Sequence, residues 1–308
     1  MPCCLISLGA NLGDPLASMQ QALYWLKRSF GDDCVQASRF YRTPAIGGPE
    51  NQQEFLNAVV AVQTTASPWD VWQVIREVEQ QMGRRRNLRW EARAIDIDVL
   101  LFDDQRIWTP HFKIPHPRMC MRRFVLEPAL EVAAEWVDPV SGWTVSQLYH
   151  HIATTAPSIL LCGDVCQDLP QLVSQALKQL DLPKSQGVAC SDPFGPKLRA
   201  DLPWMCSLPW PHAAPSLCIH ELAAIKMTGQ IPKLMIVAAA PPPDIDVAWE
   251  DWLRCWADAL EMRNSTATRL AWNGPRYLLP LQDRQWAIHE MVSAIQAMQC
   301  PVEPLRER

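Results

Sequence analysis

The sequence contains no apolar run approaching the ~20 residues of a membrane-spanning helix, so no membrane span is expected. It has no excess of positive charge. The 28 Lys and Arg stand against 33 Asp and Glu, a formal net charge of −5 at pH 7, which does not favour nucleic acid or an anionic membrane surface. The opening Met1-Pro2-Cys3-Cys4 carries no basic segment ahead of an apolar one, so a signal peptide is not expected and a cytoplasmic location is. The 11 cysteines are odd in number and scattered, which reads as reduced thiols rather than a disulfide framework. The close pair Cys162 and Cys166 lacks partner ligands at matching spacing and is not read as a metal site. There is no G-x-x-x-x-G-K-[ST] phosphate loop and no internal repeat between the halves. What remains is a globular composition, 48% hydrophobic and 20% charged, in 308 residues, enough for two domains. The 14 Trp are read first as core and interface fillers.

The most informative stretch is Arg93 to Phe102. Strand side chains alternate faces, so Asp96 and Asp98 point one way while Ile95, Ile97 and Val99 point into a core. Two adjacent carboxylates repel each other, and a divalent cation with a taste for hard oxygen ligands, Mg²⁺, resolves the repulsion. Arg93 precedes the pair, and Arg84, Arg85, Arg86 and Arg89 lie upstream. Carboxylates for a metal beside a run of guanidiniums suggest a polyphosphate site. The alternative is an exposed edge strand with two solvated aspartates, against which the density of arginines counts.

Cys3 to Leu8 reads as a buried strand, followed by the turn Gly9-Ala10-Asn11-Leu12-Gly13. Asp14 as N-cap and Pro15 at the first helical position open an amphipathic helix to about Phe30. Val35 to Arg42 reads as a second strand, Thr43 to Pro49 as a loop and Phe55 to Thr64 as a third strand. Ser67-Pro68 opens a second helix that stops at Gly83, and the arginine loop leads into the aspartate strand. The order β-α-β-β-α-β makes the fold class α+β and ferredoxin-like, an antiparallel sheet with helices on one face. Short helices over Phe124 to Val132 and Val145 to His150 close this domain, set at residues 1–153. Residues 154–217 read as linker or irregular structure, and 218–308 as a second, smaller α/β or irregular domain. In it, Lys233 to Ala240 reads as a buried strand, and Val247 to Met262 and Asp283 to Met298 as helices.

Several segments together resemble one family. They are Ser7-Leu8-Gly9-Ala10-Asn11-Leu12-Gly13-Asp14, Ser38 through Pro44, Phe55-Leu56-Asn57-Ala58-Val59, Glu79 through Arg84, Arg93 through Phe102, and Pro115-His116-Pro117-Arg118-Met119. In this order and spacing, residues 3 to about 150 resemble 6-hydroxymethyl-7,8-dihydropterin pyrophosphokinase, a ferredoxin-like enzyme of folate biosynthesis. The resemblance implies transfer of pyrophosphate from ATP to the hydroxymethyl oxygen of the dihydropterin, with AMP released. Such transfer is mostly positioning and charge neutralisation. The resemblance implies that Asp96 and Asp98 hold two Mg²⁺ ions, and that Arg84 and Arg93 act with them on the phosphates. It places Arg76, Glu79, His116 and Arg122 on the nucleotide. Arg76 and Glu79 could equally form a surface ion pair, and Arg123 is a rival to Arg122. It places Thr43, Pro44, Ile46, Phe55, Asn57, Trp90 and Phe124 around the pterin, with Asn57 pairing through its amide and Phe55 also readable as core.

The chain departs from the family pattern at Glu91-Ala92-Arg93, where Gly-Pro-Arg is common, and the loop from Arg84 to Trp90 is about one residue short. Loops of this kind close over substrates, so its contacts and kinetics are where a difference is expected. The C-terminal half is faintly similar to the tail of deoxynucleoside kinases without their phosphate-binding half, and matches neither enzyme to which the pyrophosphokinase is sometimes fused. It reads as a module for a protein partner or self-association. Two rival readings of the whole chain are a pterin- and nucleotide-binding scaffold without turnover, and a nucleic-acid-binding ferredoxin-like module using the arginine loop. The second would need stacking aromatics on the sheet face, which the third strand does not supply.

Overall fold

The computed structural model describes residues 2–48, 52–82, 94–109, 111–154, 156–163, 168–180, 189–190, 204–209, 232–239, 274–281 and 283–306. The apolar run at the N-terminus forms β1 (Cys3–Ala10), buried from Cys4 to Ile6. Asp14 caps α1 (Pro15–Phe30) by accepting from the Ala17 N–H at 3.0 Å, and Gly31, at φ 96°, ends it. The expected second strand is broken into β2 (Val35–Ala37) and β3 (Tyr41–Thr43). The break falls at Ser38, whose hydroxyl accepts from the Val59 N–H at 3.0 Å and so takes the place of a backbone partner. β4 (Phe55–Gln63) and α2 (Pro68–Gln81) follow, the latter opened by a reciprocal capping box between Ser67 and Asp70. Then come β5 (Asp96–Phe102) and a small hairpin of β6 (Ile107–Trp108) and β7 (Lys113–Ile114).

The main strands of this antiparallel sheet run β3-β4-β1-β5, with β2 also on β4. α1 and α2 cover one face, over Ile6, Leu8, Leu56, Val60, Ile95, Ile97 and Val99. Helices cover the other face too, because it is equally apolar. There Leu5, Val59, Leu100 and Leu101 are buried under α3 (Arg123–Ala133) and α4 (Val145–Ala153). Leu100 reaches that side through a bulge, since β5 slips by one residue against β1 between Leu5 and Ile6.

Residues 154–217, read above as linker or irregular, contain β8 (Ser158–Gly163), α5 (Leu169–Gln179), β9 (Ala189–Cys190) and β10 (Trp204–Pro209). These join β11 (Leu234–Ala239) and β12 (Arg276–Pro280) in a second, wholly parallel sheet of order β12-β11-β8-β10-β9. α6 (Arg284–Gln299) follows β12, and β13 (Glu303–Pro304) returns to pair antiparallel with β3 of the first sheet. A single apolar cluster runs from Leu5 and Leu101 of the first sheet through Leu126 and Leu148 to Ile159 and Ile236 of the second, and on to Met291 of α6. The expected helix over Val247 to Met262 lies outside the described residues. Among the described residues Cys4, Cys34, Cys120 and Cys300 are free thiols. Among the described residues no helix is long and apolar enough to cross a membrane.

Candidate active site

Asp96 and Asp98 stand half-exposed on the edge strand β5, while Ile95, Ile97 and Val99 alternate into the core under α2. The register gives the site its layout. Gly9 on β1 is the Cα partner of Asn57 on one side and of Asp96 on the other. Partners directly opposite share a sheet face, so Asn57, Gly9 and Asp96 form one row across three strands. Adjacent strands are ~4.8 Å apart, which sets the amide and the carboxylate about 10 Å from each other across the glycine. A Cβ on Gly9 would sit 3.4 Å from Asn57 Oδ1, so the missing side chain keeps the floor of the row low. Gly9 falls within the turn signal and the first family segment, but neither gave it this role, because the role depends on strand register.

At the Asn57 end, the buried amide donates from Nδ2 to Thr43 Oγ1 at 2.8 Å, which leaves its other polar atom to a ligand or neighbour. Phe55, half-buried, pairs with Thr43 across β4 and β3. Pro44 is exposed and Ile46 half-buried in the loop that leaves β3, where Gly47 and Gly48 take positive φ angles of 72° and 77°. Phe124, half-buried in the first turn of α3, has the Arg122 guanidinium 5.6 Å from its ring centre.

At the Asp98 end stands His116. Its backbone N–H donates to Leu100 O at 2.8 Å, which ties the segment to β5. The Arg118 N–H donates to His116 Nδ1 at 3.1 Å. An Nδ1 that accepts leaves the proton on Nε2, and Nε2 faces Asp98 Oδ2 at 3.7 Å. Burial pushes the imidazole well below its usual range, with Arg122 and Arg118 acting the same way and Asp96 opposing them. His116 is therefore a neutral ring that presents one N–H donor to the site. Arg122 has its pKa lowered by burial and by Arg118, against the pull of Asp98 and Asp96. Arg123 turns away and pairs with Glu127 at 3.0 Å.

Glu79 is not on the surface. It is 4% exposed, and its Oε1 accepts the Ile97 N–H at 3.1 Å, so it fastens the strand between the two aspartates to α2. Arg76 lies exposed with its guanidinium 4.8 Å over the Trp72 ring. Both border a cleft of about 220 Å³ that also takes in Trp72, Asp98, Phe112, Lys113 and His116. Trp72, Phe112 and Lys113 were not expected from the sequence. They arrive through the β6–β7 hairpin and the outer turn of α2, whose packing no local motif announces. Arg84, Trp90 and Arg93, and with them the Glu91-Ala92 departure, lie outside the described residues.

Among the described residues no group of three or more His, Cys, Asp or Glu is arranged to hold a metal. A Mg²⁺ ion keeps several waters and is held by one or two carboxylates plus substrate phosphates. The donor set here has hard carboxylates of that kind: Asp98 lines the cleft together with Arg76 and Lys113, and Asp96 stands two residues before it on the same strand face.

The family model of 7,8-dihydro-6-hydroxymethylpterin-pyrophosphokinase matches residues 5–134. The chain is 36% identical over 152 residues to the 2-amino-4-hydroxy-6-hydroxymethyldihydropteridine pyrophosphokinase of Synechocystis, covering 49% of this chain and 77% of that protein. It is 35% identical over 130 residues to the Bacillus subtilis protein of the same name, covering 42% of this chain and 77% of that one. A crystal structure of Plasmodium falciparum HPPK-DHPS aligns at 13% identity and a TM-score of 0.38, covering 78% of this chain and 62% of that chain, a likeness too loose to bear on either half.

Proposed function

The chain belongs to the 7,8-dihydro-6-hydroxymethylpterin-pyrophosphokinase family, and from that premise we propose that it transfers the terminal pyrophosphoryl group of ATP to 6-hydroxymethyl-7,8-dihydropterin in folate biosynthesis. The hydroxymethyl oxygen bonds to the β-phosphorus and loses its proton. The bond from that phosphorus to the oxygen bridging the α-phosphate breaks, and AMP leaves. The observation that carries this reading is the row Asn57–Gly9–Asp96. It sets an amide able to pair with a heterocycle on the same face as the carboxylates, at a separation that a bicyclic pterin and its hydroxymethyl arm can span.

Asp96 and Asp98 would hold Mg²⁺, two ions by family resemblance. The metal, when bound, neutralises phosphate charge and orients the oxygens. The chain's own groups do the rest. Neutral His116 donates its Nε2 proton to a phosphate oxygen without adding a cation of its own. Arg122 and Lys113 supply positive charge beside the aspartates and the cleft. Trp72 and Phe112 give the cleft a flat apolar wall suited to a purine. Asn57, with Thr43 fixing its amide, orients the pterin, and Pro44, Ile46, Phe55 and Phe124 form the surrounding slot. Arg84, Arg93 and Trp90 are read as further phosphate and pterin contacts from the loop. We read the β1-α1-β3-β4-α2-β5 core as ferredoxin-like on its strand order.

The test is the nucleotide product. With ATP, Mg²⁺ and the dihydropterin, AMP and the dihydropterin diphosphate are expected in equal amounts. Formation of ADP with a singly phosphorylated pterin would overturn the assignment.

A further inference from the structure

α6 of the C-terminal half reaches back into the pyrophosphokinase site. Its Glu290 side chain is 1% exposed, and a charge so buried is costly unless paired. The pair is bidentate. Arg118 Nε donates to Glu290 Oε2 at 2.9 Å and Nη2 to Oε1 at 2.6 Å. The Tyr277 hydroxyl at β12 donates to Oε2 at 2.8 Å. Arg118 is the residue whose backbone N–H fixes His116 Nδ1, two positions before it. The Arg118 charge also bears on Arg122, the guanidinium beside the aspartates. Past the end of the same helix the chain returns to β3, whose Tyr41 is the Cα partner of Asn57. β13 then pairs with Tyr41 and Arg42, and Leu305 N donates to Phe40 O at 2.7 Å. The helix and tail thus touch the residues next to His116 at one point and next to Asn57 at the other.

We propose that Glu290 is a positioning residue of the pyrophosphokinase site: by gripping Arg118 it holds the His116 turn in place, so that the C-terminal half completes the site. The inference rests on the activity proposed above. Glu290 touches no reacting atom. It acts through Arg118, on the backbone that sets the tautomer and aim of His116. Because His116 faces Asp98 and the cleft, the effect belongs to the nucleotide side and not to the pterin side.

The experiment compares full-length wild type with Glu290→Gln, Glu290→Asp and Arg118→Lys in steady-state AMP release, varying ATP and pterin separately. Near-UV circular dichroism at the assay temperature reports the folded fraction. For Glu290→Gln, kcat/KM for ATP is expected to fall roughly 10- to 100-fold per folded molecule, with KM for the pterin unchanged. Glu290→Asp, which keeps the charge, should recover part of that loss. Arg118→Lys keeps both charges and gives up the fork, and should show the same ATP-side loss if Glu290→Gln does not fold. Wild-type ATP parameters in a folded Glu290→Gln or Arg118→Lys enzyme would overturn the proposal. So would a loss spread equally over ATP and pterin that follows the unfolded fraction. Absence of AMP with the wild type would instead count against the activity itself.

Discussion

Asp96 and Asp98 share a strand face, and both act on the Arg122 guanidinium beside them. Asp98→Ala and Asp96→Ala are expected to leave the fold intact, since both side chains stand half-exposed at the edge of the sheet. AMP release at ordinary Mg²⁺ should fall by a factor on the order of 10³. Normal turnover in either variant would remove the metal role from the pair. Gly9 sits between these aspartates and Asn57, and Gly9→Ala should raise KM for the pterin several-fold while the ATP parameters hold, which a two-substrate titration separates. A third residue reports on stability and not on catalysis. His151 is partly buried at the end of α4, with its Nε2 on Pro232 O at 3.2 Å, its backbone carbonyl accepting from the Lys233 ammonium and Trp143 against its ring. Burial first, and Lys233 second, pull its pKa down to about 4. A His depressed in the folded state is neutral there while the unfolded chain takes up a proton below ~6.5. Its contribution is thus present above pH 6.5 and is lost as pH falls towards 4, about 2 kcal/mol by pH 5. Urea unfolding at pH 7.5 and pH 5 should show that difference in wild type and a smaller one in His151→Gln.

Among the elements, α2 matters most to the site, because Glu79 ties it to β5 and Arg76 and Trp72 border the cleft. Its N-terminus depends on the reciprocal Ser67–Asp70 box, in which Asp70 Oδ2 accepts the Ser67 N–H at 3.0 Å. Ser67→Ala should cost about 1 kcal/mol in chemical denaturation, with kcat unchanged, since the helix remains packed through Val71, Ile75 and Val78. The elements with strong local signals were the ones legible beforehand. α1 runs Pro15–Phe30 as its cap, proline and apolar period require, and α6 starts one residue after its Asp283 cap. The β2–β3 break was not legible, because a serine hydroxyl bonding a strand 21 residues away leaves no mark on local pattern.

For the whole molecule, the apolar cluster that joins the two sheets decides how far the halves can be separated. Leu126, Leu148 and Ile152 are at most 2% exposed, and they share that cluster with Ile159, Ile236, Ala287 and Met291 from beyond residue 153. Each buried aliphatic side chain is worth ~1.5–3 kcal/mol, against a stability of ~5–15 kcal/mol for a whole domain. A chain ending at Ala153 is therefore expected to be insoluble or to lack near-UV structure, and to release little AMP. A soluble, fully active truncation would show that the second sheet only docks on a complete enzyme.

The sequence by itself carried the family resemblance and much of the local structure. The alternation around Asp96 and Asp98, the capped helices and the spaced family segments all lie within short stretches, where period and turn residues act directly. The arginines of the loop belong to that same reading. Only the tertiary structure decided that Gly9 lies between Asn57 and Asp96, that Glu79 is a buried fastener, that Arg122 and not Arg123 accompanies the aspartates, and that Glu290 grips Arg118. These facts depend on register and on packing between residues far apart in the chain, 172 positions apart for Glu290 and Arg118, and hydrophobic burial, which brings such residues together, carries no information about which polar partners will meet.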